Sequence, residues 1–285
     1  MHSAPNRNQK VTIMLDPALA STLLFVPADR PERFDKAVGS GADAVIIDLE
    51  DAVAPADRPA ARANVVAWLS AGGEAIIRVN ARGTADHDAD VAAIRGLAKT
   101  VMLAKTESSN DADSTASDIG PGTRVVALIE TARGILAAAD IARAESVSRL
   151  AFGNVDLAVE LGIDAANRTA LLASRSLVNL ASAAAGLTGP IDGVTTVFDD
   201  EAVVGDDAAY AASLGFRGKL CIHPRQVAPV ASGFRPTEAE ITWATGILAS
   251  GHGEEAHTVD GAMVDRPVLE RARQIAHRAG TGKQS

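Results

Sequence analysis

The sequence predicts a (β/α)8 barrel followed by a C-terminal helical extension, and three observations lead to this fold class. Short apolar runs typical of buried strands occur eight times along the chain. Amphipathic stretches with helical periodicity separate most of these runs, which indicates parallel strands joined by helices. The length of 285 residues suits a barrel of about 250 residues with an appendage.

The predicted strands are short, and the second, 44–49, is apolar over nearly its whole length, as expected of a parallel strand buried on both faces. They span residues 22–26, 44–49, 75–79, 100–104, 124–129, 148–152, 189–194 and 216–222. Helical patterns between them include residues 31–38, 57–69, 169–185 and 200–214, and residues 108–122 predict a surface helix with its loop. An open dinucleotide-binding sheet is disfavoured because no glycine-rich phosphate-binding motif follows the first strand.

The pattern changes after the eighth strand. Thr237 and Glu240 have the spacing of a capping box and predict the start of a helix. Residues 251–261 are rich in glycine and predict a flexible connection to a last helix at 267–279. The expected organisation is an N-terminal extension (1–20), a barrel (21–230) and a C-terminal extension (231–285), which could cap the bottom of the barrel, cover its active face or reach a neighbouring subunit.

Composition excludes several classes of protein. Hydrophobic residues make up 47% and charged residues 22%, which is typical of a globular chain. A net charge of −9, without a basic run, disfavours binding to nucleic acid or to a membrane surface. No apolar segment is long enough to predict a signal peptide or a membrane span, so we expect a cytoplasmic protein. The single cysteine, Cys221, excludes an intrachain disulfide.

Carboxylates follow several predicted strands. The carboxyl ends of barrel strands converge on the active face, so residues at these positions are candidates for chemistry. Glu130 and Asp156 follow adjacent strands and form the best ligand pair for Mg²⁺, which often takes one or two protein carboxylates. The alternative is that these carboxylates cap the following helices, Asp156 especially. Periodicity leaves both interpretations open.

Three acids, Asp48, Glu50 and Asp51, lie where the second strand ends and are predicted to surround the metal site or to cap a loop. Arg78 stands in the apolar run IIRV, where its guanidinium needs an anionic partner. That partner is either a substrate carboxylate held at two points or one of these acids in a buried ion pair. Zinc hydrolase and serine hydrolase motifs are absent from the sequence.

Taken in order, these motifs resemble the citrate lyase β subunit-like proteins of the HpcH/HpaI aldolase superfamily of CoA-ester lyases. The resemblance covers residues 21–279 and rests on residues 24–34, 41–53, 78–80, 102–108, 129–134, 152–157, 218–219, 222–224 and 261–265. Two departures occur. Ala104 replaces the proline that is common before Lys105, and Asn154–Val155 replaces a small residue followed by glutamate.

The resemblance implies a Mg²⁺-dependent lyase, with Mn²⁺ as a possible substitute, that cleaves or forms a carbon–carbon bond in a 3-hydroxyacyl-CoA. The products of cleavage would be an acyl-CoA and a 2-oxo acid. By motif, Glu130 and Asp156 match the magnesium ligands, which hold the substrate through the ion, and Arg78 matches the substrate-binding arginine. Asp265 matches an acid that a neighbouring subunit contributes, and it is predicted to protonate the thioester enolate. The implied assembly is a homotrimer or hexamer.

Cations near the end of the first strand, Arg30, Arg33 and Lys36, are candidates for binding the CoA phosphates, with a solvated helix face as the alternative. Other functions compatible with the resemblance are a citrate lyase β subunit acting on a citryl thioester of an acyl carrier protein, and a malyl-CoA thioesterase. A non-catalytic regulatory barrel is the alternative from a different class, since fold alone does not determine function.

Overall fold

The computed structural model describes residues 16–250, 257–259 and 262–281. The chain divides into two compact units, Met1–Gly233 and Phe234–Ser285. The division lies close to the boundary predicted after residue 230. Within the described residues, no helix combines the length and the apolar character needed to cross a bilayer.

The first unit is a closed barrel of eight parallel strands in sequence order. The strands are β1 Thr22–Pro27, β2 Ala44–Asp48, β3 Ile76–Val79, β4 Thr100–Leu103, β5 Arg124–Ile129, β6 Val147–Phe152, β7 Ile191–Asp192 and β8 Gly218–Cys221. Leu23 pairs with Ala44 on β2 and with Leu220 on β8, which closes the barrel. The predicted fold class is confirmed.

Helices follow the strands. They are α1 Phe34–Val38, α2 Arg58–Ser70, α3 Ala85–Ile94, α4 Ser109–Ile119, α5 Ala132–Ile141, α6 Asn154–Leu161, α7 Arg168–Ala184, α8 Glu201–Ser213 and α9 Val227–Gly233. Short 3₁₀ turns at Pro31–Arg33, Pro55–Asp57 and Pro224–Gln226 each have proline in the first turn, where its missing N–H is not needed.

The interior of the barrel explains where the charged residues lie. Its core includes Ile46, Ile76 and Leu128, all essentially inaccessible to solvent. Side chains alternate along a strand, so a residue two positions later faces the same side. Three charged residues stand at this spacing: Asp48 after Ile46, Arg78 after Ile76 and Glu130 after Leu128. Alternation therefore places them inside the barrel mouth, at the carboxyl ends of the strands.

The second unit contains α10 Glu238–Ala249, an antiparallel hairpin of β9 His257–Val259 and β10 Ala262–Val264, and α11 Arg266–Thr281. The predicted capping box is present, since Glu240 N–H donates to Thr237 Oγ1 at 3.2 Å and Thr237 N–H to Glu240 Oε2 at 2.8 Å. The prediction of a flexible 251–261 connection was wrong for 257–259, where β-branched Thr258 and Val259 favour a strand. Residues 251–256, 260 and 261 lie outside the described part.

Candidate metal and substrate site

Seven charged side chains gather at the carboxyl end of the barrel. They come from the end of β2 and its loop, from β3, from the residues after β4 and β5, and from the first turn of α6. In chain order they are Asp48, Glu50, Asp51, Arg78, Lys105, Glu130 and Asp156. A chain of ion pairs connects all seven. The structure thus brings the residues from five strand ends into one cluster.

Arg78 and Asp48 form a buried two-point ion pair. Arg78 Nε donates to Asp48 Oδ1 at 2.7 Å and Nη2 to Oδ2 at 2.6 Å. The same carboxylate accepts the N–H groups of Glu50 and Ala52 at 2.9 and 3.0 Å. With both oxygens engaged, Asp48 orients the arginine and its own loop and has no oxygen free for a metal. The Arg78 guanidinium also lies 4.8 Å from the centre of the Phe25 ring.

The structure therefore shows the buried ion pair that was the alternative for Arg78. Its Nη1 atom lies 3.0 Å from Glu50 Oε2 and 3.4 Å from Asp51 Oδ2. Burial alone would lower the pKa of Arg78, but Asp48 and the other acids outweigh burial and raise it. Because Asp48 occupies the Nε–Nη2 edge, a substrate carboxylate would have to approach the Nη1 side. The substrate-binding role of Arg78 stays a prediction.

Glu130 is a buried carboxyl, 4% exposed, at the end of β5. Its Oε1 accepts the Lys105 N–H at 2.9 Å. Burial, followed by the charge of Glu50, raises the pKa of Glu130 to about 8. Helix capping does not explain this residue, because the N-cap of α5 is Thr131, whose Oγ1 accepts the Gly134 N–H at 3.0 Å.

Asp156 stands in the first turn of α6 and faces the same cluster. The N-cap of this helix is Gly153, without a side-chain cap, so Asp156 is not the cap either. Its Oδ2 lies 3.0 Å from Lys105 Nζ, which in turn lies 4.0 Å from Glu130 Oε1. The two carboxylates predicted as ligands therefore converge on one cation position.

Lys105 is the residue of this cluster to which sequence reasoning gave no role. Its Nζ donates to Glu50 Oε1 at 2.5 Å. Its backbone is left-handed, with φ of 48°, a conformation that no other non-glycine residue adopts in the described part of the chain. Its position directly after β4, opposite strand-end acids, was the signal that could have identified it.

The donor set fits a hard divalent cation. Five carboxylates face two cations, and all potential ligands are oxygens, which Mg²⁺ prefers. Oε2 of Glu50 is buried and accepts no hydrogen bond, although Arg78 Nη1 is near. The described residues contain no group of three or more His, Cys, Asp or Glu suited to a metal. A magnesium site needs only two protein carboxylates when water and substrate complete the coordination, so a group of three protein ligands is not required.

Gly153 provides the space that Glu130 occupies, which leads to a prediction. A Cβ at this position would lie 2.4 Å from Glu130 Cβ and 2.6 Å from Oε2. Gly153→Ala is therefore expected to displace Glu130, to lower the free energy of unfolding by about 2 kcal/mol and to weaken Mn²⁺ binding. Thermal unfolding and Mn²⁺ calorimetry measure both effects.

The matched control is Gly246→Ala, in α10, where a Cβ meets nothing within 4 Å. This helical substitution is expected to leave Mn²⁺ binding unchanged and to stabilise the fold by up to about 1 kcal/mol. Native Mn²⁺ affinity in Gly153→Ala would contradict the importance of the Glu130 position.

Comparison with known proteins identifies the family. Residues 21–224 match the sequence model of the HpcH/HpaI aldolase/citrate lyase family. The chain belongs to this family. It is 40% identical over 265 residues to a citrate lyase subunit beta-like protein of Mycobacterium tuberculosis, covering 90% of this chain and 94% of that protein. The predicted identification as a citrate lyase β subunit-like enzyme is confirmed.

Two further relatives have informative names. A (3S)-malyl-CoA thioesterase of Cereibacter sphaeroides is 35% identical over 269 residues, which cover 90% of this chain and 94% of that protein. The crystal structure of CitE from M. tuberculosis in complex with magnesium, acetoacetate and coenzyme A superposes with a TM-score of 0.82 at 38% identity. That match covers 92% of this chain and 99% of the crystallised chain.

The candidates for CoA binding follow β1, so they lie at the same end of the barrel as the acids. Arg30, Arg33 and Lys36 are exposed. Arg30 lies 3.7 Å from Asp29 and Arg33 lies 3.8 Å from Glu32. Such exposed pairs are weak, so a phosphate can replace the carboxylate partner. Binding of CoA by this family member through these residues stays a prediction.

Asp265, the remaining predicted site residue, belongs to the second unit. It precedes α11, and its Oδ1 accepts the Val268 N–H at 3.3 Å, as a helix-capping side chain does. The structure thus gives Asp265 a local role in its own chain. Its contribution to a neighbouring active site stays a prediction.

Proposed function

We propose that this family member is a Mg²⁺-dependent carbon–carbon lyase acting on a 3-hydroxyacyl-CoA such as malyl-CoA or citramalyl-CoA. Cleavage would give an acyl-CoA and a 2-oxo acid, and the reverse reaction would join them. The observation that carries the proposal is the convergence of Glu130 and Asp156 on one cation position beside Arg78. The relative crystallised with magnesium, acetoacetate and coenzyme A supports it.

Glu130 and Asp156 would hold the metal. When bound, Mg²⁺ supplies Lewis-acid chemistry, polarising the oxygens of the substrate at the carbon that becomes a carbonyl. The Lys105 N–H fixes one oxygen of Glu130, which leaves the other free to bind. Arg78, held by Asp48, presents its Nη1 side to the substrate carboxylate.

The proton steps follow from the balance of the reaction. In cleavage the substrate hydroxyl passes its proton to water, the bond between the two carbons breaks, and the electron pair passes to the thioester as an enolate. Protonation of the enolate carbon then completes the acyl-CoA. We assign this protonation to Asp265 of a neighbouring subunit, by resemblance to the family. In the synthetic direction the same carboxylate would remove the proton.

The pKa of Glu130 leads to a pH prediction. Metal binding needs the ionised carboxylate, so below a pKa of about 8 each bound ion must displace a proton. Affinity for Mn²⁺ is expected to rise by up to about tenfold per pH unit below that value and to level off above it. Calorimetry from about pH 6 to 9 measures this, and affinity independent of pH in that range would contradict a buried Glu130 ligand.

The raised pKa of Glu130 also makes the stability of the fold depend on pH. A carboxyl whose pKa is raised from 4.5 in the folded protein stabilises the fold at low pH, because the folded state holds the proton more tightly. This contribution is lost as the pH rises from about 4.5 towards about 8. Metal-free Glu130→Gln should therefore lose less stability over this window than the native protein.

Asp265 is tested by subunit mixing. We propose a homotrimer or a dimer of trimers in which Asp265 completes the site of a neighbouring chain. Asp265→Ala and Glu130→Ala proteins should each be inactive, and exchange of subunits between them should restore part of the activity because some sites then contain both residues. No recovery despite demonstrated exchange would contradict sharing of the site, and full activity of Asp265→Ala alone would remove its role.

Thioester hydrolysis is the second candidate function, favoured by the relative named (3S)-malyl-CoA thioesterase. The two functions differ in their products, because a lyase releases a 2-oxo acid and a thioesterase releases free CoA. A panel of 3-hydroxyacyl-CoA esters, assayed for both products with and without EDTA, distinguishes them. We expect a metal-dependent 2-oxo acid from at least one ester. No turnover of any ester would favour a non-catalytic barrel.

A further inference from the structure

Lys105 contacts both carboxylates that we assign to the metal. Its backbone N–H donates to Glu130 Oε1 at 2.9 Å, and its Nζ lies 3.0 Å from Asp156 Oδ2. The same Nζ donates to Glu50 Oε1 at 2.5 Å. The ammonium therefore lies among the oxygens on which a metal would depend. Its side chain is about one-third exposed, 35%, so it can move without opening the core.

We propose that the Lys105 ammonium is a built-in counter-ion of the metal site, which releases Asp156 but keeps Glu50 when a divalent cation binds. The inference rests on the proposed function only in assuming that Glu130 and Asp156 bind a metal. Two cations cannot share Asp156 Oδ2 at close range, because like charges in a partly buried site repel each other strongly.

Glu50 is suited to be the anchor that Lys105 keeps. It is 5% exposed, whereas the Asp156 side chain is 34% exposed. The contact of the ammonium with Glu50 is also shorter than its contact with Asp156. A charge pair in the less exposed position is screened less by solvent. Breaking the ion pair of Lys105 with Glu50 therefore costs more free energy than breaking its ion pair with Asp156.

Lys105 contacts Glu130 through its backbone and Asp156 through its side chain. The peptide N–H that holds Glu130 belongs to the backbone, so rotation about the side-chain bonds moves the ammonium without releasing this hydrogen bond. One carboxylate ligand thus stays oriented while the other changes partner. Without metal, the ammonium offsets the repulsion between Glu50 and Asp156, and with metal it competes for Asp156. The expected result is a stable empty site and a weakened affinity for the ion.

Lys105→Met tests this directly, with Mn²⁺ binding measured by calorimetry or electron paramagnetic resonance in the absence of any CoA ester. We expect Mn²⁺ to bind about tenfold more tightly to Lys105→Met than to the native protein, because the competing ammonium is gone. Methionine keeps the β-carbon and an unbranched side chain of nearly the same length, so the left-handed backbone is strained equally in both proteins. The control is Lys99→Met, whose lysine is 82% exposed and pairs with Glu74. It should leave Mn²⁺ affinity unchanged.

A double-mutant cycle with Glu50→Gln tests whether Lys105 releases Asp156 and keeps Glu50 when Mn²⁺ binds, or whether its charge merely weakens Mn²⁺ binding by repulsion. In the native background, Glu50→Gln removes the charged anchor of Lys105 and leaves Asp156 as its nearest carboxylate, so Mn²⁺ affinity should fall by about tenfold or more. In the Lys105→Met background the same change should cost about threefold or less, because no ammonium is then shifted from Glu50 onto Asp156. Additive effects of the two substitutions would overturn the proposed exchange, as would Mn²⁺ affinity in Lys105→Met at or below the native value.

Failure of this inference is distinguishable from failure of the proposed function. If native protein binds no Mn²⁺, the metal assignment itself is wrong. If native protein binds Mn²⁺ and Lys105→Met binds it no more tightly, only the counter-ion role is wrong. Should circular dichroism show that Lys105→Met does not fold, Lys105→Gln removes the same charge and is measured in its place with the same expectation.

Discussion

Glu130→Gln and Asp156→Asn are each expected to abolish turnover and to remove measurable Mn²⁺ binding. Each change keeps the shape of the side chain but removes one of the two carboxylates that converge on the cation position. Loss of a metal that stabilises charge in the transition state costs several kcal/mol, so we expect activity to fall by about a thousandfold or more. Initial rates and calorimetry measure both effects.

Removal of the metal by EDTA should reproduce both variants, and added Mg²⁺ or Mn²⁺ should restore the native protein but not the variants. Asp118→Asn is the matched control, since Asp118 is a half-exposed acid that pairs with Arg82 at 3.1 Å and is not one of the seven residues of the cluster. It should keep native activity. Native rates in metal-free enzyme, or in Glu130→Gln, would contradict the assignment of the ligands.

Arg78→Lys is expected to impair both folding and catalysis, although it keeps the positive charge. An ammonium cannot form the two parallel hydrogen bonds that join Nε and Nη2 to Asp48. Buried carboxylates that lose their partner are costly, so the free energy of unfolding should fall by about 2 kcal/mol. Because the Nη1 side also loses its position, kcat/KM should fall by about a hundredfold.

The control for this variant is Arg82→Lys, which changes a partly exposed arginine four residues away and should have little effect. Calorimetry with pyruvate or oxaloacetate then separates the two roles of Arg78. Weaker binding of the 2-oxo acid in Arg78→Lys supports direct recognition of its carboxylate. A loss of stability with unchanged 2-oxo acid affinity would mean that the arginine serves only in the ion pair.

The sequence predicted the barrel well because eight short, mostly apolar runs alternate with helical patterns, which is typical of parallel strands that close into a barrel. The seventh strand is the exception, predicted over 189–194 but observed only at Ile191–Asp192. Pro190 has no N–H to donate to a ladder. The Gly193 carbonyl accepts Lys219 Nζ at 2.7 Å instead of a strand partner. Side-chain contacts of this kind are not visible in periodicity.

At the site, the sequence predicted which residues gather but not how they pair. Glu130 and Asp156, which follow adjacent strands, both lie within 4.0 Å of Lys105 Nζ, and their role as metal ligands stays a prediction. The partner of Arg78 depended on strand register, because Asp48 and Arg78 stand directly opposite each other on β2 and β3. The direction of the Lys105 side chain depended on a left-handed backbone at a non-glycine residue, a conformation that its residue type does not predict.

The proposed cleavage of a carbon–carbon bond at this site can be measured by the ratio of products from a single 3-hydroxyacyl-CoA. A time course with malyl-CoA, or with whichever related ester reacts fastest, would follow the 2-oxo acid, the acyl-CoA and free CoA in one sample. We expect the 2-oxo acid and the acyl-CoA to appear in equal amounts, only with Mg²⁺ or Mn²⁺ present. Free CoA formed together with the intact hydroxy acid, and no 2-oxo acid, would contradict carbon–carbon cleavage and show hydrolysis of the thioester instead.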